Sequence, residues 1–216
     1  MFTVSLPGGA AELTQAILTD TADYINSVLR SSADTVKSQI LDKIEESIWA
    51  APEVQSLLNG ELGQELGVVN AKPIVSDIIE QVKGAMNFTI DPAIAFSGRL
   101  VGGGYIVEVL RKDFTEVLST PDAAYVTKNN VFIPWLNWLL FAGSSPLIYG
   151  YRIVLNPNNP TNSRTGGAIM VKTAGGSWAV PQDYAGTQEN NFLTRALANL
   201  GTDIDKIITE ELAKRI

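Results

Sequence analysis

The chain has 216 residues, of which 45% are hydrophobic and 18% charged, a composition that can bury a core and lies far from that of disordered chains. It contains no cysteine and no histidine, which excludes disulfides, thiolate nucleophiles, imidazole bases and the common nitrogen- or sulfur-ligated metal sites. The net charge of -7 argues against a nucleic-acid groove, and it is uneven: residues 1–91 carry 13 acidic and 5 basic side chains, residues 92–216 carry 10 and 11.

Met1 to Ala10 hold no basic run, and the longest apolar window, Val131 to Ala142, has 12 residues where a bilayer span takes about 20. The expectation is a protein made in the cytoplasm, without a membrane anchor. Leu13, Ile17, Tyr24 and Val28, widened by Leu18, Ile25 and Leu29, form an apolar stripe at helical spacing. A second helix is expected after Ser31 and Ser32, whose hydroxyls suit an N-cap, with Val36, Ile40, Ile44 and Ile48 at i+4. Pro52 opens a third helix that closes at Asn59 and Gly60. Pro73 opens a fourth, with Ile74, Ile78, Ile79 and Val82, that stops at Gly84.

The period changes at Met86. Phe88, Ile90, Ile94 and Phe96 alternate, and Gly102-Gly103-Gly104 separates them from Tyr105 to Leu110, as in a pair of strands joined by a bend. Pro134 starts a helix with apolar residues on almost every face, which predicts burial of Trp135, Trp138 and Leu139. Leu147–Leu155 and Ala168–Lys172 read as strands around the turn-rich segment Asn156–Gly167, which is expected to project. Two helices finish the chain, the second N-capped by Thr202 after Gly201. The fold class is therefore α+β, with a mostly helical region over residues 1–86 and an α+β domain over 87–216, its sheet antiparallel or mixed.

Little catalytic chemistry appears. The glycine run leads into an alternating apolar segment and not into a helix whose amides could cradle phosphate. The acid pairs Glu45-Glu46 and Glu210-Glu211 fall on polar helix faces, where solvated charge is the default. No cofactor is indicated, and the chain reads as a non-enzyme. The near-neutral second half instead concentrates Trp, Tyr and Arg, the residues enriched at interface hot spots. Arg152, Arg164, Thr165, Trp178, Tyr184 and Arg195 are the candidate interface residues, with Arg164 placed to bridge subunits against an acidic neighbour.

The order of motifs over roughly residues 120–216 carries a resemblance. Ile133-Pro134-Trp135-Leu136-Asn137-Trp138-Leu139-Leu140 is followed by Ser163-Arg164-Thr165-Gly166, Ala168-Ile169-Met170 and Trp178-Ala179-Val180-Pro181. Tyr184-Ala185-Gly186-Thr187 then leads into Asn190-Asn191-Phe192-Leu193-Thr194-Arg195-Ala196. This set resembles the neck and tail-completion proteins of tailed bacteriophages, the head-tail connector family, with Asn137 in place of the family's usual acid and Gly143-Ser144 in place of its Gly-Asp turn. The resemblance implies a non-enzymatic virion component, a homo-oligomer closed into a ring around the DNA channel. Its partners would be head-completion or connector proteins on one side and tail proteins on the other, with DNA passing through the lumen. An acidic lumen repels phosphates and lets the genome slide. Two other classes fit the sequence: a cytoplasmic adaptor that binds through its helical half, and an enzyme using carboxylates alone.

Overall fold

A computed structural model describes residues 9–109, 114–158, 160–198 and 200–215. Leu110, at the end of the expected second strand, and Asn159 in the turn-rich segment lie outside the described residues. The class is α+β. Helices α1 (Gly9–Ala50), α2 (Pro52–Asn59), α3 (Glu61–Glu65) and α4 (Ala71–Gly84) precede the first strand, which begins at Asn87, where the hydrophobic period changes. Among the described residues, eight strands then form four separate two-stranded antiparallel ribbons instead of one sheet. Among the described residues no helix is long and apolar enough to cross a membrane. The chain divides into two compact units, each drawing on both sides of residue 86. One holds residues 1–41, 86–108 and 202–216; the other holds 42–85 and 109–201.

Helix α1 corrects the expectation of two helices. It is 42 residues long and runs unbroken through Ser31 and Ser32. Neither serine caps a new helix. The Ser31 hydroxyl donates to the Val28 carbonyl at 3.0 Å and the Ser32 hydroxyl to the same oxygen at 2.6 Å, the back-bonding that lets serine sit inside a helix. The seven-residue step from Leu29 to Val36 also keeps the apolar stripe in phase. The helix ends where Pro52 disfavours helical backbone at the preceding residue: Ala51 is extended, with ψ 133°, and Pro52 takes the first position of α2.

In the first unit, β1 (Asn87–Asp91) pairs with β4 (Gly104–Glu108), and a second hairpin, β2 (Ile94–Phe96) with β3 (Arg99–Val101), is inserted between them. The expected single pair is thus two nested pairs. Pro92 lacks the N–H a ladder needs, and the Ala93 peptide groups bond instead to the buried Asn26 side chain of α1, at 2.8 and 2.9 Å. Ser97 and Gly98, both at positive φ, make the tight turn between β2 and β3. Tyr105 stacks on Phe88 with ring centroids 5.0 Å apart and donates its hydroxyl proton to the Leu29 carbonyl at 2.7 Å. Helix α8 (Gly201–Ala213) completes this unit; it starts one residue before Thr202, which therefore does not cap it.

The second unit gathers the end of α1, helices α2 to α4, α5 (Thr115–Leu118), α6 (Trp135–Phe141) and α7 (Phe192–Ala198). It also holds ribbons β5 (Tyr125–Val126) with β6 (Phe132–Ile133) and β7 (Ile148–Leu155) with β8 (Ala168–Trp178). Its core includes Ile44, Ile48, Leu62, Val82, Leu136 and Leu193, all 0% exposed. On α6, Trp135 is 1% exposed and Leu139 is fully buried, whereas Trp138 is only half-buried, against expectation. The exposed Asn137 is the one polar residue of this helix and marks its phase weakly, and the Trp135 indole has the better site, donating to the Asp122 carbonyl at 2.7 Å.

Candidate functional site

The six candidate interface residues all lie in the second unit, in different states of commitment. Trp178 is buried at the end of β8: its indole donates to Glu65 Oε2 at 3.1 Å and its ring leans on Trp138, centroids 5.9 Å apart. Burial, more than any neighbour, raises the Glu65 carboxyl above its ordinary range; the Trp178 N–H opposes that shift and the nearby Glu61 adds to it. Arg195 on α7 pairs with the buried Glu53 of α2 and bonds Asn190 Oδ1 at 2.7 Å. Glu53 Oε2 is buried without a hydrogen-bond partner, so this carboxylate depends on Arg195. Both side chains therefore do structural work. Tyr184 is half-buried and Arg152 is exposed on β7.

Arg164 and Thr165 belong to the β7–β8 connection, whose far end does not project. The Ser163 hydroxyl donates to the Ala168 carbonyl at 2.6 Å and accepts from the Gly166 N–H at 2.8 Å, and Asn156 N donates to Gly167 O at 2.7 Å. Thr165 Oγ1 accepts from the Gly167 N–H at 3.3 Å. The turn is folded back so that the Arg164 guanidinium lies over the Tyr125 ring, 4.0 Å from its centroid, while Nε donates to the Gly67 carbonyl at 2.8 Å. The Tyr125 hydroxyl is raised above its ordinary range by burial, with the nearby guanidinium pulling the other way.

Of the acid pairs, Glu45 bonds Lys83 Nζ at 2.9 Å, which lowers its carboxyl, and Glu46 bonds Lys43 at 2.7 Å. Glu211 departs from the expected solvated face: it is 5% exposed and held below the usual carboxylate range by Lys214 and then Arg215. Sequence reasoning also missed Asn191. It is fully buried, and its Oδ1 accepts from the Leu193 and Thr194 N–H groups at 3.1 Å each, capping α7. An asparagine directly before an apolar helical run, with Thr194 three residues on, was the available signal.

Among the described residues several apolar side chains are exposed, including Phe96 on β2 and Phe132 on β6, and two of the exposed surfaces carry net charge of opposite sign. Along α1, Leu13 (46% exposed), Ile17 (55%) and Tyr24 (51%) share one face, and residues 9–29 hold Glu12, Asp20 and Asp23 with no basic side chain, a net of -3. On the β7–β8 ribbon, Tyr149, Tyr151 and Met170 are exposed beside Arg152 and Lys172. Residues 148–178 hold Arg152, Arg164 and Lys172 with no acid, a net of +3. No family model, curated protein or solved structure matches the chain.

Proposed function

We propose that this chain is a non-enzymatic virion structural protein, a ring-forming neck or tail-completion component that joins the head connector to the tail around the DNA channel. The motif order over residues 120–216 supports the biological class, and the acidic face of α1 and the basic β7–β8 ribbon support the means of assembly. The observation that carries the means is the first three turns of α1. Apart from a half-buried Leu18, every side chain from Gly9 to Asp20 is exposed. These turns continue a 42-residue helix, and their apolar side chains, Leu13 and Ile17, are left facing water, which favours covering them. The complementary surface is on the same chain: the -3 stripe of one copy fits the aromatic ribbon of the next, whose strands carry Arg152 and Lys172 and no acid. Such a pairing of unlike surfaces is heterologous, and it makes a ring when the rotation between copies closes. Acidic excess elsewhere keeps phosphates from adhering to the wall of a DNA channel.

Negative-stain microscopy and light scattering of the purified chain test this. Rings, or oligomers that Ile17→Asp and Tyr149→Asp each dissolve without lowering the melting temperature of the subunit, are the expected result. Oligomers untouched by both substitutions would defeat the proposed surfaces, and absence of the protein from purified virions of the phage that encodes it would defeat the function.

A further inference from the structure

The anchored guanidinium of Arg164 does something its contacts do not use up. One of its five N–H groups is given to Gly67 O and one face to Tyr125; among the described residues the four Nη hydrogens have no protein acceptor. Tyr125 is itself fixed, since its hydroxyl donates to the Leu66 carbonyl at 2.9 Å. Gly67 has φ +69°, and a Cβ there would collide with the Tyr125 hydroxyl, so this cradle admits only glycine. The Arg164 fork is therefore held in place before any ligand arrives, which removes most of the ordering cost that a free arginine would meet on binding.

Arg164 lines a cleft of about 110 Å³ whose other walls include Val68, Pro73, Ile74 and Trp135. Small-molecule sites usually enclose about 300 to 1,000 Å³, so this cleft takes one residue and not a nucleotide or a sugar. Its chemistry has two parts, a bidentate donor for a carboxylate and an apolar wall, and one residue must satisfy both. A side-chain carboxylate would need a second residue for the wall. An α-carboxylate beside an apolar side chain needs only the last residue of a chain. Asp122, exposed at the cleft, repels any anion in proportion to its charge and so disfavours a dianion such as phosphate more than a single carboxylate.

We infer that the Arg164–Tyr125–Gly67 cleft is a receptor for the C-terminal carboxylate of a partner polypeptide ending in an apolar residue. This site does not depend on ring assembly, and Ile17→Asp leaves it intact. Saturation-transfer difference NMR on the whole chain, which observes the ligand whatever the size of the assembly, tests it with three probes. N-acetyl-leucine is expected to show saturable methyl signals. N-acetyl-leucinamide, without the carboxylate, and N-acetyl-aspartic acid α-amide, with the carboxylate on the side chain, are expected to give signals at least five-fold weaker. Arg164→Gln reduces the N-acetyl-leucine signal by a similar factor, and Arg164→Lys, which keeps the charge but not the fork, restores only a minor part. Equal signals from leucine and leucinamide on the unaltered protein overturn the site, as does an undiminished signal in a folded Arg164→Gln. Equal signals from the aspartic acid amide overturn the assignment to a chain terminus.

Discussion

The two ends of helix α1 have the same sequence pattern and opposite fates. Val36, Ile40, Ile44 and Ile48 recur at i+4 and are all 0% exposed; Leu13, Ile17 and Tyr24 recur on one face and are 46 to 55% exposed. Periodicity thus fixes that a segment is helical and where its stripe lies, but not what covers the stripe. Substitution separates the two ends. Ile44→Ala should cost about 2 to 5 kcal/mol in urea unfolding, the usual range for emptying a buried branched side chain, whereas Ile17→Ala should stay within about 0.5 kcal/mol when measured on the dissociated subunit. A large loss from Ile17→Ala in a dilute monomer would mean that the first turns of α1 are already covered within one chain.

The same contrast divides the tryptophans of α6. Trp135→Ala should cost about 3 to 5 kcal/mol and Trp138→Ala clearly less, since only the former is wholly buried with its indole N–H bonded. Next in size is Arg195→Ala, which strands the buried Glu53. With the guanidinium partly in water, a loss of about 2 to 3 kcal/mol is expected, and adding Glu53→Gln should recover part of it in a double-mutant cycle. Asn191→Ala removes the α7 cap and should cost about 1 to 2 kcal/mol by the same measurement.

The smallest effect is one of pH. Because the folded protein raises the Glu65 carboxyl, the unfolded chain gives up this proton first as pH rises. Glu65 is therefore destabilising above its folded-state titration and harmless below its unfolded one. Glu65→Gln, whose amide oxygen can still accept from Trp178, should raise the melting temperature at pH 7 by a small amount that vanishes toward pH 4. A gain that persists unchanged at pH 4 would assign the effect to packing and not to charge.

These comparisons also mark how far the sequence could be read. Helix α2 is found to the residue, because a proline at its first position and an Asn-Gly pair at its end are local signals. Strand β7 and the first half of β8 follow from their apolar residues and the intervening turn residues, but β8 runs on past its expected end at Lys172 to Trp178, through the glycines Gly175 and Gly176 that argue locally against a strand. Ser31 and Ser32 are a local failure, since their hydroxyls bond Val28 three and four positions back, and on α6 one polar residue, Asn137, is too little to tell Trp135 from Trp138. Other features escape because they depend on distant partners. Glu53 and Arg195 lie 142 positions apart, so no spacing rule pairs them. At the candidate site, Arg164 was visible as an isolated arginine in a polar loop. Its cradle was not, since Tyr125 and Gly67 contribute to it from 39 and 97 positions upstream, with Gly67 set by a positive φ that only the folded backbone displays.

The discontinuity of the two units has a consequence for the order in which the protein can mature on the ribosome. The unit of residues 42–85 and 109–201 has all its chain once position 201 has emerged. The other unit joins the beginning of the chain to its last helix, and the Tyr24 hydroxyl meets the Arg215 carbonyl at 3.4 Å. It must wait for the whole of α8 before it can close. During synthesis, at about 5 to 20 residues per second, the apolar stripe of α1 is therefore made well before the residues that complete its unit.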